Sequence, residues 1–275
     1  MFTLTSLNDN QVFQAGLRAE HGFAVLIEFD DQKLLFDTGQ SGLFLENAQK
    51  MRVDLAHLNG IIISHGHYDH MGGLMPLLHK NGKAKIFAMP GIFIERYSKN
   101  NGKRYIGAPH LQTEYEKAGA KFLFNQRPFF IRNDIVLSGK IERKYDQERV
   151  TDPFLKVDSK NQEQADSIDD EQALFIKGRD GLNVITGCGH AGLINTLEYA
   201  IKITGEKKIN TIIGGFHLKK APSHRVSWTI DQLKTINFKK IIPSHCTGPR
   251  MSGALLKHFP DQTDFMAVGE SLQLN

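Results

Sequence analysis

The stretch Ile61 to Leu74, IIISHGHYDHMGGL, places His65, His67, Asp69 and His70 within six positions, directly after an apolar run. A short apolar run closed by polar and glycine residues reads as a buried strand. The loop at its end then carries an unusual density of groups that bind metal or move protons. Imidazole and carboxylate suit zinc, iron and manganese. Two histidines at i, i+2 on an extended loop can present both rings to one ion, and the Asp69-His70 pair can face a second. Gly66, Gly72 and Gly73 permit tight turns there. A surface loop with chance histidines is the alternative. It explains an isolated histidine well and H-x-H-x-D-H after a strand poorly.

Outward from this loop, strands and helices alternate. AVLIEF (24–29) and KLLFD (33–37) read as paired strands about a turn at Asp30-Asp31. SGLFLENAQKM reads as a helix begun by Ser41, MGGLMPLLHK as the helix after the histidine loop, and KIFAM as a strand. Residues 90–109 read as irregular and basic. HLQTEYEKAG is a helix. The segment 140–170 is polar and charged, and is expected to be a solvated excursion, a lid or a dimer contact. Then come strands ALFIK and LNVIT, helix HAGLINTLEYAIKI, strand INTIIGG, helix VSWTIDQLKTI, strand KKIIPS, helix GALLKHF and an extended end. Sheets covered by helices are expected, in one unit spanning 1–275 without a linker.

Three later histidines share one setting: His190 in VITGCGHAG, His217 in TIIGGFHLK and His245 in IIPSHCTG each follow a β run beside small residues. Sites in α/β architectures assemble at strand ends. Each histidine alone also reads as a satisfied core residue; together they favour convergence with the first loop.

The 275 residues suffice to bury a real core, and the net charge of +4 is spread along the chain. It allows an anionic small-molecule substrate, while no basic arm or aromatic-interleaved stripe points to nucleic acid. The opening MFTLTSLNDNQVF lacks a secretory pattern and no run suits a membrane span, so a cytoplasmic location is expected. The two cysteines, Cys188 and Cys246, are then free thiols, read as small buried filler. No phosphate-cradling P-loop and no G-x-S-x-G elbow is present.

SHGHYDH resembles the signature of the metallo-β-lactamase superfamily. GLRAEHGFAVLIE, LLFDTGQS, DDEQALFI, VITGCGHAGLINTLEYA, IIGGFHL and PSHCTG resemble one branch of it. That branch is named for 7,8-dihydropterin-6-methyl-4-(β-D-ribofuranosyl)-aminobenzene-5′-phosphate synthase. The resemblance implies a four-layer αβ/βα sandwich with one or two divalent ions at one edge. Zinc is the expected ion, with manganese and iron as alternatives. By position it implies His65 and His67 on the first ion with His190, and Asp69 and His70 on the second with His245. It makes Asp37 of FDTG an orienting group outside the ligands. Many two-metal members carry a bridging aspartate at the later strand end. Here that end reads TGCGH, leaving His190, or the Cys188 thiolate, to fill the position.

The reading assigns His217 to substrate contact or proton work, with ligation as its alternative, and Asp69 to an ion and to the attacking water. His21 of Glu20-His21-Gly22, Arg104 and Lys219 are candidate substrate contacts. The leading expectation is a metal-dependent hydrolase of a phosphoester-like anion. Alternatives are a transferase condensing a pterin diphosphate with an aminobenzene ribotide, as the branch implies, and a non-catalytic metal-binding module. Di-iron redox members carry His-x-Glu-x-Asp and a flavin domain; His67 stands where that Glu would be.

Overall fold

The computed structural model describes residues 1–275. In chain order its first half comprises β1 (Phe2–Asn8), β2 (Ala24–Phe29), β3 (Gln32–Phe36), α1 (Leu43–Met51), β4 (Gly60–Ile62), α2 (Tyr68–Met71), α3 (Leu74–Asn81), β5 (Ala84–Ala88), β6 (Arg96–Ser98), β7 (Arg104–Tyr105), α4 (Gln112–Lys117) and β8 (Ala120–Phe124). The second half comprises β9 (Phe129–Arg132), β10 (Ile135–Leu137), β11 (Phe154–Val157), β12 (Glu163–Ala165), β13 (Leu174–Gly178), β14 (Gly181–Thr186), α5 (Leu193–Thr204), β15 (Ile209–Gly214), α6 (Ser223–Leu233), β16 (Phe238–Pro243), α7 (Gly248–His258) and β17 (Ser271–Leu274).

Two sheets face each other: a seven-stranded one in the order β17-β1-β2-β3-β4-β5-β8 and a six-stranded one in the order β16-β15-β14-β13-β10-β9. Strand side chains alternate between faces, and here both faces are buried, which is why the strands read as continuous apolar runs. Val25, Ile27, Leu34, Phe36 and Ile62 join Leu174, Ile176, Ile185 and Ile213 in the core between the sheets. The alternate residues Leu26, Leu35, Ile61 and Ile63 pack outward with Phe44 of α1 and Leu74, Leu77 and Leu78 of α3. Phe175, Val184 and Ile212 likewise pack against α5, α6 and α7. The result is the four-layer αβ/βα sandwich.

The expected helix after the histidine loop is two helices, α2 and α3, parted at Gly72-Gly73. A Cβ on Gly73 would stand 2.1 Å from the Thr38 carbonyl oxygen, so backbone contact replaces a continuous helix there. Strand β1 is not apparent in the sequence; it pairs with β2 and β17. Residues 90–109, expected to be irregular, contribute β6 and β7. The charged segment 140–170 contributes the β11–β12 hairpin. These four form a third small sheet, β12-β11-β6-β7. Buried Arg96 secures it, its Nε and Nη2 lying 2.7 Å and 2.6 Å from the carboxylates of Asp166 and Asp170. No helix is long and apolar enough to cross a membrane.

Candidate metal centre

β3 and β4 run parallel, as do β14, β15 and β16. Their carboxyl ends release Asp37, His65, Cys188, His190, His217 and His245 toward one edge of the sandwich. Asp37, His217 and His245 have φ of 59°, 48° and 47°. Left-handed backbone at a non-glycine residue costs about 1–3 kcal/mol and concentrates at functional sites. The metal loop itself needs glycine: a Cβ at Gly66 would stand 2.0 Å from the Ile92 carbonyl oxygen.

Ligand-type atoms of His65, His67 and His190 lie within 4.8 Å of one another, as do those of His21, Asp69 and His245. His65 Nε2 is 3.0 Å from His67 Nδ1. His70 Nε2 points between the groups, 3.8 Å from Asp69 Oδ2 and 3.2 Å from Cys188 Sγ. His67 Nε2, both ring nitrogens of His190, and His245 Nε2 are buried without a hydrogen-bond partner. His245 Nε2 has the Asp69 carboxylate nearby, at 3.4 Å, as an ionic neighbour. Orphaned buried polar atoms are costly. Several aimed at common points are what divalent cations satisfy, so these residues fit the metal that the sequence implies.

Hydrogen bonds set which nitrogen each ring offers. Asp37 Oδ1 accepts the Ser64 N–H at 2.7 Å, and its Oδ2 accepts Ser64 Oγ–H at 2.7 Å and His70 Nδ1–H at 2.6 Å. Ser64 Oγ is then free to accept His65 Nδ1–H at 2.9 Å. His245 Nδ1 donates to Asn10 Oδ1 at 2.9 Å. His65, His70 and His245 therefore all turn Nε2 inward. Because Asn10 Oδ1 also accepts the Gly22 N–H, its amide nitrogen faces His21 Nδ1 at 3.4 Å. His21 Nε2 then carries the proton toward Asp69 Oδ2, at 3.1 Å.

Burial holds His65, His67 and His190 well below the usual histidine range, in the neutral form that ligation requires. Burial also opposes charge on His70, but Asp37 and Asp69 outweigh it and raise the ring to about 9. Burial would raise Asp69; His70, His21 and His245 overcome it and keep the carboxyl well below the ordinary range. Burial pushes the Cys188 thiol up.

A cleft of about 480 Å³ opens on this edge, walled by His21, His67, His190, His217 and His245 and by Tyr68, Arg104, Phe154, Lys219 and Lys220. His217 Nε2 lies 2.9 Å from Asp152 Oδ2. Burial lowers His217, but the bond to Asp152 and the nearby Cys246 dominate and raise it to about 10. The Phe154 ring stands 5.5 Å from that of His67 and 5.9 Å from those of His190 and His217. The charged 140–170 segment thus reaches the site through Asp152 and Phe154, neither of which sequence reasoning singled out. Ser64, Asp9 and Asn10 were also missed: Ser64 pairs with Asp37 of FDTG, Asp9 Oδ2 accepts the His245 N–H at 3.0 Å, and Asn10 pairs with His245 and Gly22. DDEQ, quoted without a role, ties the loops together. Asp170 Oδ2 accepts the Gly66 N–H at 2.9 Å, Glu171 accepts the Ala191 N–H, and Gln172 donates to the Ile63 carbonyl oxygen at 2.9 Å.

The fold and the histidine-lined edge define a class, the α/β sandwiches that gather candidate metal ligands at one edge of two packed sheets. The chain belongs to the metallo-β-lactamase superfamily, whose family model matches residues 17–90. It is 34% identical over 233 residues to the uncharacterised protein MJ0448 of Methanocaldococcus jannaschii, covering 84% of this chain and 85% of that one. It is 29% identical to the 7,8-dihydropterin-6-methyl-4-(β-D-ribofuranosyl)-aminobenzene-5′-phosphate synthase of the same organism, covering 98% and 95%. The crystal structure of Tm1679, described as a metal-dependent hydrolase of the β-lactamase superfamily, superposes with a TM-score of 0.87 at 30% identity, covering 100% and 99%.

Proposed function

We propose that this protein is a metal-dependent hydrolase of a small phosphoester-like anion, with zinc as the resident ion. The observation that carries the reading is the set of unpartnered imidazole nitrogens aimed inward at the floor of a cleft walled by Arg104, Lys219 and Lys220. His65, His67 and His190 would hold one ion; Asp69, His70 and His245 would hold the other. Bound there, divalent cations polarise a phosphoryl or carbonyl oxygen and bring the pKa of water to about 7.

The chain's own groups supply the rest. Asp69 is an anion beside the ion positions and accepts a hydrogen bond from the attacking water. His21, donating to Asp69, fixes its second oxygen in place. His217, kept protonated by Asp152, donates to the leaving oxygen at the cleft wall. Phe154 lays an apolar edge over the rings of His67, His190 and His217 and limits water there. Arg104 and Lys219 attract and orient the anionic end of the substrate. Both cysteines are free thiols, which fits action in a reducing cytoplasm.

A second reading is supported by the 29% identity, over nearly the whole chain, to a protein named as a synthase. In that reading the same centre and the same cationic wall would serve group transfer, with His217 again on the leaving oxygen. The test is an assay of zinc-reloaded protein against phosphomonoesters, phosphodiesters and lactones, beside an assay of diphosphate release from an aromatic alkyl diphosphate with and without an arylamine acceptor. Metal-dependent ester cleavage in water alone supports hydrolysis. Diphosphate release that requires the acceptor replaces it with transfer, and inactivity of metal-replete protein toward every substrate counts against both.

A further inference from the structure

We propose that Cys188 contributes a thiolate shared by both ion positions, making the centre a sulfur-bridged pair. This rests on the metal-centre reading above and adds a ligand to it. The Cys188 Sγ lies within 4.8 Å of ligand atoms of His65 and His70, of His190 and His217, and of His245 and Cys246. His65 and His190 belong to the first trio, whereas His70 and His245 surround Asp69. No other side chain falls in three of these groups, and those three join Cys188 to His65 and His190 of one position and to His70 and His245 of the other.

The surroundings are those of a ligand and not of apolar filler. A buried cysteine that only fills space packs against carbon. Here the thiol sits 3.2 Å from His70 Nε2, whose other nitrogen is already bonded to Asp37. His190, 2% exposed and grouped with that sulfur, leaves both ring nitrogens without partners. Glycines on either side present the residue. A Cβ at Gly187 would stand 2.1 Å from Ser64 Oγ, and Gly189 has a φ of 72° with its Cβ position 2.8 Å from the Gly215 carbonyl oxygen. Cys246 has a different part: its Sγ donates to the Cys188 carbonyl oxygen at 3.3 Å, holding the turn.

On coordination the Cys188 thiol releases its proton to solvent and its sulfur lone pairs bond the cations. The thiolate and Asp69 together bring two negative charges to the centre. A thiolate also biases the site toward zinc and away from magnesium or manganese, which prefer oxygen.

Cobalt(II) reports the ligand directly through the near-ultraviolet thiolate-to-cobalt charge-transfer band. Metal-stripped full-length protein, titrated with cobalt, is expected to bind about two equivalents, as a two-ion site requires, with the band growing over both. Cys188→Ser abolishes the band, Cys246→Ser retains it, and Cys188→Asp, whose fold is checked by circular dichroism, binds both ions without it. Two bound cobalts with no band in the unaltered protein overturn the thiolate while leaving the metal centre standing. So does a band that survives Cys188→Ser. A band complete after the first equivalent overturns sharing. Absence of cobalt binding overturns the metal centre itself, and this inference with it.

Discussion

Asp37 Oδ2 lies 2.6 Å from His70 Nδ1 and 2.7 Å from Ser64 Oγ, and through Ser64 it governs His65 as well. One fully buried carboxylate therefore sets the tautomer of a histidine in each half of the centre. Asp37→Asn offers an amide nitrogen where all the neighbours donate, so one donor loses its partner and the rings turn. Affinity for both ions is expected to fall about 10- to 100-fold, the usual effect of losing a group that orients ligands. Competition against a chromophoric chelator measures it; unchanged affinity at both positions would show that the relay has no hold on the rings.

The two trios make separable predictions. His67→Ala removes a donor from the first and His245→Ala one from the second, and each variant is expected to retain about one equivalent of zinc where two positions exist. Both are expected to keep the native fold, because neither ring is a member of the three apolar cores. Elemental analysis of purified variants settles the count. Loss of both ions from either variant would mean that the positions fill only together.

His217 provides the pH prediction. Its folded value of about 10 is raised above the ordinary 6.5, with Asp152 as a principal cause. The pair therefore adds stability that is fully present below about 6.5 and lost as pH rises through about 10. Asp152→Asn removes the anion, so the ring titrates at lower pH and the basic limb of kcat/KM moves toward neutrality. In metal-free protein, NMR of the ring Cε1–H follows the same titration. A His217 titration unmoved by Asp152→Asn would break the assignment.

How far the sequence carried the reading follows from which contacts are local. H-x-H-x-D-H sits within six residues, and FDTG, TGCGH, FHL and SHC each follow a strand recognisable by its apolar run. Helix-covered sheets and a clustering of histidines at strand ends were legible for that reason, while the four-layer sandwich and the sorting of ligands between two ions came from the family resemblance. Asp152 was not, because its partner lies 65 positions away and nothing local marks a polar segment as pairing. Strands β6, β7, β11 and β12 escaped notice because they are two to four residues long and mostly not buried, so no alternation distinguishes them. His21 shows a middle case: the EHG element was visible, but its bond to Asp69 depends on the Asn10 amide, which only the fold brings near.

Arg96 carries the stability prediction. Its guanidinium, 1% exposed, bonds Asp166 and Asp170, and Asp170 in turn holds the Gly66 N–H of the metal loop. Burial, joined by the Asp166 charge, raises Asp170, and Arg96 opposes that. Removing one member of a buried ionic group strands its partners, at about 3–5 kcal/mol. Arg96→Ala is therefore expected to lower unfolding free energy by that amount in urea titrations, and to weaken zinc binding through the loosened loop. Arg96→Met combined with Asp166→Asn and Asp170→Asn removes the stranded charges and is expected to recover much of the stability. Because the side-chain amide introduced by Asp170→Asn can keep a carbonyl oxygen toward the Gly66 N–H, the triple variant also recovers zinc affinity. Equal loss in the single and triple variants would show that side-chain volume, and not charge pairing, fixes the small sheet to the loop.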